Sequence, residues 1–138
     1  MLKIEHKDVK RLFKQLVDGK RYQDDIFSQV KIVLQLHMAG EEKLLYPRLE
    51  NNPETRTLTL ESYEEHDVAK KVITDIDNSN DVDAKYARAK VLSEAIDMHI
   101  KEEENDLFKK AKHILSDDDE REIARQFVNE KMANMPKL

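Results

Sequence analysis

The sequence predicts an all-α protein, four long helices forming a bundle with an additional helix at the C-terminal end. Three observations carry that expectation. The 138 residues are 38% charged and 6% aromatic, with only two glycines and three prolines, a composition that suits helices and lacks the turn formers a sheet needs. Apolar residues recur every three or four positions along four long stretches, which is the period of one buried helix face. Turn chemistry falls between those stretches, at Asp18-Gly19, Asn51-Asn52-Pro53, Asn78-Ser79-Asn80-Asp81 and Ser116.

Helix one is expected over about 2–17. Its stripe is Leu2, His6, Val9, Phe13 and Leu16, flanked by Leu12 and Val17, and Gly19 ends it as a C-terminal glycine. Helix two is expected over about 23–50, with Asp24 and Asp25 complementing the macrodipole in its first turn. Its stripe is Ile26, Val30, Val33, His37, Glu41, Leu44 and Leu45, and Pro47 should kink it or begin its end. Gly40 lies inside it, where glycine costs up to ~1 kcal/mol relative to alanine; the position suits a close-packed helix or a small ligand. For helix three, Asn52 is the expected N-cap and Pro53 the first helical residue. It runs to about 77, with Thr59, Tyr63, His66, Ala69, Ile73 and Ile76 on its stripe. Helix four is expected over about 82–115, on Tyr86, Ala89, Leu92, Ile96, His99, Glu103, Leu107 and Ala111. A last helix, over about 117–133, starts behind Ser116 as N-cap, carries Ile123, Phe127 and Val128 on one side, and should pack across the bundle near the end of helix four. Residues 134–138 are expected to fray. No repeat and no internal boundary stands out, so 1–138 reads as one domain.

Several functions are set aside by composition. The net charge is −5 with Lys and Arg scattered among acids, so no basic stripe for nucleic acid is present. There is no cysteine, which removes disulfides, iron–sulfur clusters and thiolate chemistry. The N-terminus lacks the apolar region of a signal peptide, and no apolar run approaches the ~20 residues of a membrane span. A soluble cytoplasmic protein without membrane partners is the expectation.

The chemistry lies in residues that interrupt the apolar stripes. His37 and Glu41 stand four apart on one helix face, and the pattern returns as His99 and Glu103. His6 and His66 take stripe positions on the other two long helices. With up-down-up-down topology and short loops, His6 lies about 17 Å from the end of its helix and His37 about 21 Å from the start of the next, at 1.5 Å per residue. The same reckoning brings His66 and His99 to that height within boundary error. Four imidazoles and two carboxylates in one dry layer cost several kcal/mol in desolvation unless they bind metal; the competing reading is a polar layer that fixes helix register. His113 lies well along helix four and suits its C-terminus instead. A ferritin-like site would need Glu-x-x-His pairs, but residues 63 and 96 are Tyr and Ile. Six donors are too many for one tetrahedral ion. Two six-coordinate ions offer about twelve positions, of which the side chains and one bridging solvent fill about ten. That count suggests a non-haem di-iron centre open to dioxygen, peroxide or nitric oxide.

The stretches Ile4-Glu5-His6-Lys7, His37-x-x-x-Glu41-Glu42 with Leu45-Tyr46-Pro47, Glu64-Glu65-His66 and His99-x-x-x-Glu103-Glu104 resemble the hemerythrin-like proteins of the HHE cation-binding kind, over roughly 4–115. The resemblance implies an antiparallel four-helix bundle holding two non-haem iron ions (Fe2+/Fe3+) with a bridging oxo or hydroxo group. His6, His37, His66 and His99 would be terminal ligands, and Glu41 and Glu103 would bridge. Two departures bear on function. Lys70 stands where the oxygen carriers have a second histidine on helix three, and Glu103 follows its histidine by four where they have an aspartate after five. Losing a histidine opens a position and shifts weight from reversible oxygen carriage toward a sensor or a redox enzyme. Tyr63, one turn before His66, either approaches the vacated position or is a core aromatic. The expected function is binding or sensing of a small molecule such as dioxygen; the alternatives are an oxidoreductase acting on peroxide or nitric oxide, and a metal-storage or interaction bundle.

Overall fold

The structure, a computed structural model, describes residues 2–19 and 21–134, which are helical with no strand among them. Helix α1 (Leu2–Asp18) is followed by α2 (Asp24–Gly40), a π-helical turn (Glu41–Leu45) and α3 (Tyr46–Leu49) in one continuous rod. After a turn come α4 (Arg56–Asp77) and α5 (Val82–Glu102), which passes through a second π turn (Glu103–Leu107) into α6 (Phe108–Ile114). The last helix is α7 (Asp117–Asn134). Four rods therefore form the bundle, each antiparallel to its sequence neighbour, with α1 packed on α2 and α5, and α4 packed on α5 and α2.

The stripes bury as their periodicity predicts, with one rotation. On α1, Val9, Leu12, Phe13 and Leu16 are inside, and on α5, Ala89, Leu92, Ile96 and Ile100. On α2 the buried face is centred on Phe27, Val30, Leu34 and Met38, while Ile26 and Val33 are only partly buried. Each fully buried Leu or Ile stabilises the fold by roughly 1.5–3 kcal/mol relative to leaving it exposed. The core has two parts. One runs from Val9 and Leu34 to Ile76 and Leu92; the other gathers Leu45, Tyr46, Leu49, Leu107, Ala111 and Ile123. The histidines and glutamates lie between them, so apolar layers exclude water from both sides.

The helix ends mostly follow their signals. Asp81 caps α5 by accepting from the amides of Asp83 and Ala84, and Ser116 Oγ accepts from the Asp119 amide at 3.0 Å while Asp119 Oδ2 accepts from that of Ser116. The third rod starts later than expected. Asn52 caps a tight turn, its Oδ1 accepting from the Glu54 amide at 2.9 Å, and α4 begins only at Arg56. Buried Thr55, whose Oγ1 donates to the Leu49 carbonyl at 2.7 Å, ties that turn to α3. Asn134 does not fray; it closes α7 by donating to the Glu130 carbonyl at 2.8 Å. The expected fraying of 135–138 lies outside the described residues. Helix α7 starts against the end of α6, where Ile123 joins Ala111 and Leu115, then runs along α2 and the first π turn. No described helix is long and apolar enough to cross a membrane.

Candidate metal centre

All six stripe-breaking residues meet. His6, His37, Glu41, His66, His99 and Glu103 are each at most 5% exposed. They form two quartets, one of His6, His37, Glu41 and Glu103, the other of Glu41, His66, His99 and Glu103, with the donor atoms of each quartet within 4.8 Å of one another. Glu41 and Glu103 belong to both. The inner distances are 3.1 Å between His6 Nε2 and His37 Nε2, 3.1 Å from His6 Nε2 to Glu103, and 3.1 Å from His37 Nε2 to Glu41. In the second quartet, His66 Nε2 is 3.3 Å from Glu41 and His99 Nε2 is 3.2 Å from Glu103. Neighbouring donors bound to one ion at about 2.0–2.1 Å stand roughly 2.8–3.0 Å apart when the ion is octahedral and roughly 3.3–3.4 Å apart when it is tetrahedral. The spacing suits a shared ion in each quartet.

The chain turns out to carry an internal repeat. His37-x3-Glu41-Glu42-x2-Leu45-Tyr46 matches His99-x3-Glu103-Glu104-x2-Leu107-Phe108, and Glu5-His6 matches Glu65-His66. The structure makes it a pseudo-twofold. Each histidine turns Nε2 inward and Nδ1 outward to a carboxylate of another rod. His6 Nδ1 meets Glu104 at 2.7 Å and His66 Nδ1 meets Glu42 at 3.0 Å; His99 Nδ1 meets Glu65 at 2.8 Å and His37 Nδ1 faces Glu5 at 3.5 Å. At His6, His66 and His99 the carboxylate hydrogen-bonds Nδ1, which fixes the tautomer and leaves the Nε2 lone pair for an ion, the usual arrangement around metal-binding histidines.

Both π turns begin at the shared glutamates. The Tyr46 amide donates to the Glu41 carbonyl and the Phe108 amide to that of Glu103, so one extra residue enters each turn. Proline does not cause it, because the second π turn has Lys109 where the first has Pro47. The extra residue brings the aromatic five positions after each glutamate to the site. Tyr46, fully buried, places its hydroxyl 2.5 Å from Glu103, 3.3 Å from Glu41 and 3.2 Å from His66 Nε2. Its counterpart Phe108 stacks on His6 at 5.7 Å. Straight α-helical spacing turns residue 46 away from the site, so periodicity passed over Tyr46; the aromatic repeated after Leu45 and Leu107 was the available signal. Tyr63 does not fill the gap; it packs edge-on against Tyr46 at 5.1 Å. Lys70 points outward, donating to both Glu42 oxygens at 2.9 and 3.1 Å. His113 is exposed, away from the cluster.

The electrostatics follow from this crowding. Burial alone depresses the His37 imidazole, but the adjacent Glu41 carboxylate, with Glu5 behind Nδ1, pushes it up to about 10. Burial likewise opposes charge on His99, which the adjacent Glu103 carboxylate pushes up to about 9. Burial raises Glu41, but the His37 charge together with contacts to Glu103, His37 and His66 outweighs it and holds the carboxyl well below the usual range. Tyr46 is raised by burial and then by the charges of Glu41 and Glu103, so its phenol stays protonated and donates. Even so, Glu41 Oε2, Glu103 Oε1 and His99 Nε2 within the quartets, and His37 Nδ1 and Glu5 Oε1 on the outer side, are buried without a hydrogen-bond partner, and native interiors rarely tolerate such groups. Beside the histidines lies a cavity of about 10 Å³ bordered by Val9, Leu34, Met38, Ile96 and Ile100, room for at most one water-sized molecule.

A family model described as the Hemerythrin HHE cation binding domain matches residues 1–111. No curated protein and no solved structure matches the chain.

Proposed function

The chain belongs to the hemerythrin HHE cation-binding family, and on that footing we propose that it is a non-haem di-iron protein that binds or senses a small molecule such as dioxygen. The observation that carries the reading is the pair of quartets sharing Glu41 and Glu103. Two ions there would be held by His6 and His37 on one side and by His66 and His99 on the other, with Glu41 and Glu103 within reach of both. The unpartnered Glu41 and Glu103 oxygens then acquire partners. A histidine–carboxylate set suits iron, although imidazole alone also accepts zinc, copper or nickel. Iron bound there would supply a change of oxidation state and a point of attachment for a small ligand.

The protein's own residues supply the rest. Glu5, Glu42, Glu65 and Glu104 orient the imidazoles and strengthen them as donors. The cavity of about 10 Å³ beside them, walled on one side by Val9, Leu34, Met38, Ile96 and Ile100, leaves room for no more than one water-sized molecule. The Tyr46 hydroxyl, 2.5 Å from Glu103, is a proton donor held against the bridging carboxylates. That observation favours a second reading, an oxidoreductase acting on peroxide or nitric oxide, in which Tyr46 delivers or steadies a proton. The experiment is metal analysis of protein made in iron-rich medium, then optical spectra of the reduced protein before and after dioxygen and peroxide. Two irons per chain and a persistent new band support binding. Gas evolution from peroxide supports turnover. One ion or none per folded chain rejects the di-iron reading.

A further inference from the structure

The family match ends at residue 111, yet α7 reaches back to the centre. Its Phe127 is 1% exposed and its ring stands 6.0 Å from that of His37. Gly40 makes the room: a Cβ there would lie 2.5 Å from Phe127 Cζ and within 3.0 Å of two more ring atoms. One methyl group at residue 40 is thus enough to unseat the ring. One turn further along α7, Lys131 Nζ lies 3.6 Å from Glu5 Oε1, the carboxylate behind His37. On the His66–His99 side the backing comes from the bundle itself, through Glu42 with Lys70 and through Glu65.

The hold on α7 is light. Only Ile123 and Phe127 of this helix are fully buried. Its ion pairs to the second rod, Lys43 with Glu130 and Arg48 with Asp119, lie at the surface, where such pairs contribute little. An element with few buried apolar contacts opens before the rest of a fold. We propose that α7 is a detachable shield over the His6–His37 position, latched by Phe127 in the gap at Gly40. The two positions of the centre then differ in how fast they exchange metal and admit ligand. This rests on the two-ion reading above.

The test uses the full chain loaded with cobalt(II), mixed with excess chelator, and compared with Phe127→Ala and Gly40→Ala. The expected result is that one ion per chain leaves faster in both variants, by roughly tenfold, as loss of part of a local closing free energy implies, while the other keeps its rate. Unchanged rates, or equal acceleration of both ions, overturn the shield. A second readout needs no metal. Exchange of the imidazole C2 hydrogens with heavy water in the metal-free proteins, which proceeds through the protonated ring and is mapped by mass spectrometry, should show His37 newly reactive in Phe127→Ala with His99 still protected. Equal reactivity of all the site histidines means general loosening and overturns the proposal. If the wild-type chain binds fewer than two cobalt ions, the two-ion reading falls, and the His37 labelling still decides whether α7 shields that side.

Discussion

Metal loading of this protein should expel protons, and the structure says how many. In the metal-free chain His37 titrates at about 10 and His99 at about 9, so both are protonated at pH 7. An imidazole cannot hold an ion and a proton on the same nitrogen. With Nδ1 of each facing a carboxylate, at 3.5 Å for His37 and 2.8 Å for His99, the proton that leaves is the one on Nε2. Filling both positions therefore releases about two protons from these two residues. The apparent affinity should rise by about two logarithmic units per pH unit up to about pH 9, where His99 has lost its proton, and then more gently to about 10.

The metal-free fold has the opposite dependence. His37 and His99 are raised, so their contribution to stability is complete below the unfolded value of roughly 6.5 and is lost as pH climbs through about 9 and 10. Glu41 is lowered, so its contribution is present above the unfolded value and is lost in acid. Metal-free stability should hold from roughly pH 4.5 to 6.5 and fall on the alkaline side. The assay is calorimetric titration with zinc(II), which has no redox chemistry, in two buffers of different ionisation heat, followed by competition titrations across the pH range. Proton release near zero, or an affinity independent of pH between 6.5 and 8.5, would refute protonated histidines in the empty centre.

Three further outcomes follow from the same geometry. Glu41→Ala should abolish two-ion binding and, in metal-free protein, lower stability by about 3–5 kcal/mol, because it strands the His37 cation 3.1 Å away; thermal melts with and without chelator measure both, and a metal-free variant as stable as wild type would mean Glu41 is no partner. Tyr46→Phe should keep two ions but change the optical spectrum of the iron-loaded protein and cost the metal-free fold about 1–3 kcal/mol; an identical spectrum would remove Tyr46 from the centre. His113→Ala should leave metal content unchanged and stability within about 0.5 kcal/mol of wild type, as metal analysis and melting temperature can check.

Much of this was legible in the residues. The helical stripes place His6, His37, His66 and His99, because an imidazole replacing an apolar residue stays on the buried face whatever its chemistry. Counting rise per residue brings them to one height, because antiparallel rods with short loops share their ends. The α2 face is rotated from the stripe predicted because Ile26 and Val33 compete with Phe27, Leu34 and Met38 for one surface, and only the partners on α1 and α4 settle which side faces in. The start of α4 was placed too early for a similar reason. Asn52 has the chemistry of an N-cap, but Thr55 bonds back to Leu49 and holds the intervening residues in a turn.

What stayed hidden depends on the π turns and on the second half of the chain. A period of 3.6 residues cannot show that one turn holds an extra residue, so Tyr46 and Phe108 lie off the stripe on paper and beside the glutamates in space. The outer carboxylates were hidden because each serves a histidine of another rod: Glu104 backs His6, 98 residues away, and Glu65 backs His99. Desolvation of the layer asks for metal to stabilise it; the raised His37 and His99, set against the lowered Glu41, offset part of that cost without one. Within the repeat, the two halves differ by a single oxygen at one position: a phenol at residue 46 and a bare ring at residue 108. The His66 half carries a built-in donor, and the His6 half has an aromatic wall in its place.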